Sequence, residues 1–224
     1  MVPCLDEAAV IVAALTALAP LRGRGHEVIV VDAGTDGTGD LARPLADRVL
    51  RAPRGRAVQM NLGAEAATGD LLFFLHADTR LPEGADRLVV EGLARSGRAW
   101  GRFDVRLSGR HPLLRVIERF MNWRSRLTGI ATGDQAIFVG RALFEAAGGF
   151  PEIALMEDVA LSKRLKRWGP PLCLPETVIA SSRRWEEKGI VRTVLLMWWL
   201  RLRYFLGADP RRLARDYGYR PDAG

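Results

Sequence analysis

Leu71-Leu72-Phe73-Phe74-Leu75-His76-Ala77-Asp78-Thr79-Arg80 is the stretch on which the reading of this chain turns. It opens with five consecutive apolar residues after the turn-like Thr68-Gly69-Asp70 and ends in two side chains able to ligate a metal. A short apolar run bounded by a turn predicts a strand buried on both faces, the kind found at the centre of a parallel sheet. Open α/β sheets bind ligands in the crevice beyond the carboxyl ends of their strands. His76 and Asp78 therefore sit where a ligand is expected, and their spacing puts both on one side of an extended segment. The plainer alternative is that Asp78 and Thr79 only open a loop and cap a helix from Pro82. The stretch alone leaves the two readings level.

Working outward on the amino-terminal side, Asp6 is expected to cap a helix through Leu18, after a short strand at Met1–Leu5. Val28-Ile29-Val30-Val31 is a second two-sided apolar strand ending at Asp32. The glycine-rich turn Ala33–Thr38 opens a short helix to about Arg43, Val49-Leu50 makes a third strand, and Arg54-Gly55-Arg56 opens a helix to about Ala67. Strands alternating with helices predict parallel strands joined by right-handed crossovers. Asp32 and Asp78 then fall at the same edge of one sheet.

On the carboxyl-terminal side, a helix from Pro82 to about Ala94 precedes an alternating strand, Trp100 to Leu107. A helix from Pro112 to about Leu127 follows, then a polar loop to Asp134 and the strand Ala136–Val139. Arg141 to Ala147 is a short helix closed by Gly148-Gly149. Glu157-Asp158 begins a helix through Trp168, where carboxylates suit the positive end of the helix dipole. Leu172–Leu174 and Val178–Ala180 read as two short strands. A long helix from Ile190 to Leu206 and a short basic one from Pro210 complete the chain.

With 224 residues, 48% of them hydrophobic and 26% charged, the chain suits one globular domain with a full core. The expected division is a nucleotide-binding half (1–80), an acceptor and catalytic half (81–189) and carboxyl-terminal helices (190–224). A net charge of +7 calls for an anionic partner. Cys4 and Cys173 are the only cysteines, which excludes a cysteine-based zinc site and favours a reducing, cytoplasmic compartment. Asp6 and Glu7 interrupt the start of the chain, so no signal-peptide pattern is visible. Trp198 and Trp199, with Leu195, Leu196, Leu202 and Phe205, are expected to pack the long helix on the body of the protein. The other reading of that basic, tryptophan-bearing helix is attachment to an anionic membrane surface, at the inner membrane face.

Asp6, Asp32, Arg56, Asn61 and Asp78 together offer what a nucleoside diphosphate needs: carboxylate acceptors for base or ribose, cations for phosphate, and a carboxylate for a divalent metal. The ordered motifs Pro3…Asp6-Glu7, Val28–Asp32 with Gly37-Thr38, Asn61…Gly63…Ala67, His76-Ala77-Asp78, Gly149-Phe150, Glu157-Asp158 and Arg184-Trp185 resemble those of family-2 glycosyltransferases over nearly the whole chain. Gly133-Asp134-Gln135 and the His-Ala-Asp form are similar to a compact bacterial subgroup linked to arsenosugar biosynthesis.

The resemblance implies a single-domain nucleotide-diphospho-sugar transferase (GT-A) fold, an α/β fold with a mostly parallel central sheet flanked by helices. It implies an inverting enzyme that uses a nucleoside-diphosphate sugar, a divalent metal (Mn2+ or Mg2+) and a hydroxyl acceptor. By position, Pro3, Asp6, Glu7, Asp32, Arg56, Asn61 and Ala77 fall to the nucleotide, and Asp78 and His76 to the metal. Asp158 matches the catalytic base with Glu157 beside it. Asp134, Gln135, Arg184 and Trp185 fall to the acceptor or the diphosphate. His76 stands where the first acid of a D-x-D motif would be, and Ser181 where the glutamine of Q-x-x-R-W would be, which points away from polymer-making members. Relatives carry more apolar residues before the proline, so the start of the protein is expected upstream of Met1. The rival readings are a basic nucleic-acid-binding protein, for which no motif is present, and a nucleotidyltransferase on a similar fold.

Overall fold

The structure, a computed structural model, describes residues 1–219. The amino-terminal half alternates as read: β1 (Val2–Cys4), α1 (Ala8–Gly23), β2 (Ile29–Asp32), α2 (Thr38–Ala42), β3 (Arg48–Arg51) and α3 (Arg56–Ala66). These three strands are parallel in the order β1-β2-β3, with Val2 opposite Val30 and Val30 opposite Val49. The four residues of β2 are all buried, as a strand covered on both faces by helices requires. Asp6 is not the cap of α1. The cap position is Glu7, no side chain caps the helix, and the helix runs past Leu18 through Pro20 to Gly23.

The second half keeps the mostly parallel sheet flanked by helices and adds one antiparallel strand. It contains β4 (Leu71–Phe73), α4 (Ala85–Ser96), β5 (Trp100–Leu107), α5 (Pro112–Thr128), β6 (Phe138–Gly140), α6 (Arg141–Ala146), α7 (Glu157–Leu165) and β7 (Leu172–Ala180). Here the strand order is β4-β6-β5-β7, and β6 runs antiparallel to both β4 and β5. The apolar run at 71–75 is thus a three-residue strand in the middle of the joined sheets, antiparallel to β6 on one side and flanked by the start of β1 on the other. It joins the two sheets. The Met1 nitrogen donates to Phe73 O at 2.7 Å and Leu75 N donates to Met1 O at 3.0 Å, the spacing of a parallel pair. The two strands expected near the end of this half are one, β7, whose register against β5 shifts at Phe103/Asp104.

Alternation puts Leu72 on one face of the joined sheets and Phe73 on the other. Phe73, Phe103 and Phe138 meet with ring centroids 5.7–5.9 Å apart. On the opposite face Phe74 meets Phe144 and Phe150. Each such ring, fully buried, contributes about 1.5–3 kcal/mol. These two layers hold β4 rigidly, and with it the turn that follows.

The chain closes with α8 (Arg183–Lys188), α9 (Ile190–Phe205) and α10 (Pro210–Tyr217), of which α8 was not expected. Leu200 and Leu213 are fully buried and pack α9 and α10 on Ile130, Met156 and Val159. The expectation that the α9 tryptophans are core is overturned. Trp198 is 52% exposed, Trp199 45%, Leu195 59%, Leu202 58% and Phe205 55%. Only one face of α9 meets the body. No helix among the described residues is long and apolar enough to cross a membrane.

Candidate active site

β4 ends at Phe73, and His76–Thr79 form a turn closed by Thr79 N donating to His76 O at 3.1 Å. The alternation of an extended segment therefore does not govern His76 and Asp78, yet both face one cleft. The cleft lies beyond the ends of β1 and β4, with α7, α8 and the Thr132–Gln135 turn as its walls. It has a volume of about 280 Å3, and an adjoining space of about 270 Å3 is shared through Glu7, Arg56, Asp78 and Arg184. Pro3 and Ala77 line only the adjoining part.

The acidic wall comes from the start of α7. Met156 takes a left-handed conformation (φ 71°) there, turning the chain so that Glu157 and Asp158 enter the helix from the cleft side. Asp158 is fixed by two backbone donors: its Oδ2 accepts from Gly133 N at 2.9 Å and its Oδ1 from Val159 N at 2.7 Å. Glu157 is 3% exposed, and its Oε1 accepts from Arg56 Nη1 at 3.2 Å. Burial pushes the Glu157 carboxyl above its ordinary range, Arg56 pulls it back, and the neighbouring Asp158 adds to the rise. Glu7 is raised as well, by burial and then by the charge of Asp78. Several carboxylates thus face one space with Arg56 among them.

His76 is committed to the opposite wall. Its Nδ1 lies 3.4 Å from Asp134 Oδ1, and its Nε2 is buried without a hydrogen-bond partner. The ring packs so closely on the Thr132–Gln135 turn that a Cβ at Gly133 would stand 2.3 Å from Nε2. Burial would raise the Asp134 carboxyl, but the hydrogen bond and charge of His76 outweigh it and hold the group low.

Asp78, in contrast, is exposed and has no hydrogen-bond or ion-pair partner among the described residues. Among those residues no group of three or more His, Cys, Asp or Glu side chains is gathered to hold a metal ion unaided. One free carboxylate suits a hard cation that keeps water ligands and takes its other ligands from substrate phosphates. The residues present therefore fit a metal shared with a diphosphate, with Asp78 as the protein ligand and His76 as a prop for the turn.

Arg184 and Trp185 also line the cleft. Arg184 lies over the Tyr217 ring, 3.5 Å from its centroid, and donates to Tyr217 O at 2.6 Å. Tyr217, Arg183 and Arg201 belong to the cleft and were not singled out from the sequence. Tyr217 and Arg201 arrive on helices remote in sequence, and no local pattern marks them.

Four candidates do not come to the cleft. Asp32 is 1% exposed, its oxygens accepting from Gly34 N at 2.9 Å, Gly39 N at 3.1 Å and Arg51 Nη1 at 2.5 Å. It braces the loop after β2, so closely that a Cβ at Gly39 would lie 2.8 Å from Asp32 Oδ2. Asp6 accepts from Thr35 N at 3.0 Å in the same loop. Asn61 uses both ends of its amide on the Phe150 backbone, donating to the O and accepting from the N, each at 2.9 Å. Gln135 is fully buried, accepting from Thr132 N at 3.2 Å and closing the turn that carries Gly133 and Asp134. Each has its hydrogen-bonding capacity taken up by neighbouring backbone.

A mixed α/β sheet with flanking helices, carrying an acidic and basic cleft beyond its strand ends, defines the architecture of the GT-A nucleotide-sugar transferases. Residues 1–143 match the family described as glycosyl transferase family 2, and the chain belongs to it. Among solved structures, it is similar to the mannosyltransferase PcManGT from Pyrobaculum calidifontis in complex with GDP-Man and Mn2+, with 24% identity and a TM-score of 0.60 over 80% of this chain and 55% of that one. It is also similar to TarS 1-349 of S. aureus in complex with UDP (19% identity, TM-score 0.65, 81% of this chain and 59% of that one). A third is glucosyl-3-phosphoglycerate synthase from Mycobacterium tuberculosis in complex with Mn2+ and UDP-glucose (20%, 0.56, 80% and 68%). At these identities the likeness is one of fold. The chain spans 55–59% of the length of PcManGT and TarS 1-349. No curated protein matches it.

Proposed function

We propose that this protein moves a sugar from a nucleoside-diphosphate sugar onto an acceptor hydroxyl, with inversion and with the help of Mn2+ or Mg2+. The observation that carries this reading is the single cleft in which unpaired Asp78 and backbone-fixed Asp158 open onto the same space, with Arg56 among them. Family membership supports sugar transfer, and the Mn2+ and nucleotide sugars bound by the mannosyltransferase and the synthase support the choice of donor and metal.

The donor's diphosphate lies along Arg56 and Arg184, whose charges stabilise the negative charge that grows as the bond to the sugar breaks. Asp78 would hold a divalent ion, which would supply further charge neutralisation to the leaving diphosphate. Asp158 takes the proton of the acceptor hydroxyl while that oxygen bonds to the anomeric carbon. The bond from that carbon to the diphosphate oxygen breaks on the opposite face, and its electron pair leaves with the diphosphate. Glu157 and Arg56 hold each other, His76 holds Asp134, and both pairs keep the walls at a fixed separation.

Thermal unfolding with nucleoside diphosphates, with and without Mn2+, tests the donor site. A ligand at about a hundred times its Kd adds about 2.7 kcal/mol. Asp78→Ala should lose most of the Mn2+-dependent part and His76→Ala much less. Equal Mn2+ dependence in wild type and Asp78→Ala refutes the metal assignment. No stabilisation by any nucleoside diphosphate refutes the donor.

A further inference from the structure

The apolar residues of α5 and α9 that face solvent are not scattered. Leu113, Val116, Phe120, Trp123 and Leu127 recur at helical spacing on α5, each at least 40% exposed. Val191, Leu195, Trp198, Leu202 and Phe205 do the same on α9, each at least 52% exposed. The two stripes meet, with the Phe120 and Trp198 rings 5.6 Å apart. Between the helices runs an apolar groove of about 400 Å3, within the range of about 300–1,000 Å3 typical of ligand sites.

Three features say what fills it. The groove is continuous with the cleft, because Asp134, Trp185, Met197 and Arg201 line both. Its occupant therefore extends from an apolar trough into the space occupied by Asp158. The trough walls are helices, whose backbone groups are already bonded to each other, so it offers burial and no strand edge to an extended peptide. The inner end is cationic. Beside Arg201 lies Arg124, and Arg124 Nε and Nη2 and Arg201 Nε are buried without hydrogen-bond partners. Burial and then the Arg201 charge push the Arg124 guanidinium down to about 10 against the opposing pull of Asp158, so Arg124 adds positive charge behind Arg201. Arg119 and Arg192 are exposed on the same two helices.

We infer that the acceptor is an anionic lipid, its hydrocarbon chain lying in the α5/α9 groove, its charged head on Arg201 with Arg124 buried behind it, and its hydroxyl presented to Asp158. The inference rests on the sugar-transfer reading and names the acceptor class for it. The chemical step is unchanged: the lipid hydroxyl oxygen bonds to the anomeric carbon, its proton goes to Asp158, and the nucleoside diphosphate leaves with the electron pair of the broken bond.

Titration calorimetry with three monomeric probes tests this: dihexanoyl phosphatidylglycerol, its chain-free head glycerophosphoglycerol, and dihexanoyl phosphatidylcholine. The expected result is one molecule of the phosphatidylglycerol per chain, bound at least tenfold more tightly than either other probe. Each methylene added to the buried chain should tighten binding about threefold to fourfold. Val116→Glu with Leu195→Glu, both at exposed positions, should abolish lipid binding and leave the thermal shift with nucleoside diphosphate and Mn2+ unchanged. Arg201→Gln should weaken the phosphatidylglycerol and leave the phosphatidylcholine unaffected.

Equal binding of the head with and without chains overturns the inference, as does binding to phosphatidylglycerol vesicles without binding of the monomer, which would make the face a membrane dock. A wild-type dimer that the paired substitution converts to monomer, with no lipid binding, overturns it in favour of a second copy of this chain. Failure of nucleotide binding with intact lipid binding removes the donor reading alone. Failure of lipid binding with intact nucleotide binding removes the acceptor class alone.

Discussion

Asp158→Asn is the substitution that separates chemistry from architecture at this site. The carboxylate accepts from Gly133 N at 2.9 Å through Oδ2 and from Val159 N at 2.7 Å through Oδ1. Asparagine has one acceptor oxygen, so one of these two bonds is lost and an amide NH2 faces a backbone N–H. That local defect costs about 1–3 kcal/mol of stability, which a folded domain tolerates and a thermal scan detects. The chemical cost is distinct. General-base help is worth about 10²–10⁴ in rate, or roughly 2.7–5.4 kcal/mol of barrier. A base acts only in the transition state, so the loss belongs in turnover and not in donor affinity. The assay is sugar transfer to acceptor, followed under donor saturation, beside calorimetric binding of nucleoside diphosphate with Mn2+. The expected result is donor affinity within a few-fold of wild type and turnover lower by at least about a hundredfold. Turnover within tenfold of wild type, at unchanged donor affinity, would falsify the assignment of Asp158 as base.

Two further outcomes follow from side chains outside the reaction. Asn61→Ala removes both bonds to the Phe150 backbone and should cost about 1–3 kcal/mol in urea unfolding, with donor affinity nearly unchanged. A large loss of nucleotide affinity at full stability would return Asn61 to the binding site. Asp86 accepts from Arg24 Nε at 2.7 Å and lies 2.9 Å from His26 Nε2. The Arg24 hydrogen bond, with that of His26, depresses its carboxyl well below the ordinary aspartate range. A depressed acid contributes stability above its unfolded pKa, and that contribution is lost as pH falls through the folded one. Asp86→Asn should therefore lower the Tm at neutral pH, and the difference from wild type should shrink as pH falls below about 4. A difference that stays constant or grows on acidification refutes the linkage.

How much of the fold was legible depends on what each residue pattern encodes. Val28–Val31 could be read as a covered strand because no polar residue interrupts it, and the structure buries every residue of β2. Leu71–Leu75 carries the same signature for a different pairing. Burial on two faces says how many layers cover a strand and nothing about the direction of its neighbour. Here one neighbour is β6, antiparallel and remote in sequence, and the other is the parallel edge at Met1. The α9 tryptophans show the same limit on a helix. Apolar spacing identifies a face that avoids water, but Trp198 and Leu195 meet the α5 stripe across a groove and remain open to solvent. Whether a stripe is core or surface is decided by the other elements, which the stripe does not contain.

At the site, residues were legible where local chemistry and position agree. Glu157 and Asp158 follow a positive-φ turn and begin a helix, and the structure directs both into the cleft. Asp32, Asp6 and Asn61 carry equally suggestive chemistry, but each meets a backbone donor before it meets the cleft. A polar side chain at a strand end can bind a ligand or satisfy the loop that makes room for the ligand, and its identity is the same in both cases. What distinguishes them is whether its hydrogen-bonding capacity is already taken. By that measure Asp78 stands apart: the turn that carries it is fixed by Phe73 and Phe74 on either face of the sheet, while its own carboxylate is unpaired among the described residues. A rigid support under an unsatisfied charge is what a shared metal and diphosphate require. Asp6, Asp32 and Asn61, which sequence reasoning placed beside Asp78, instead spend their hydrogen bonds on nearby backbone.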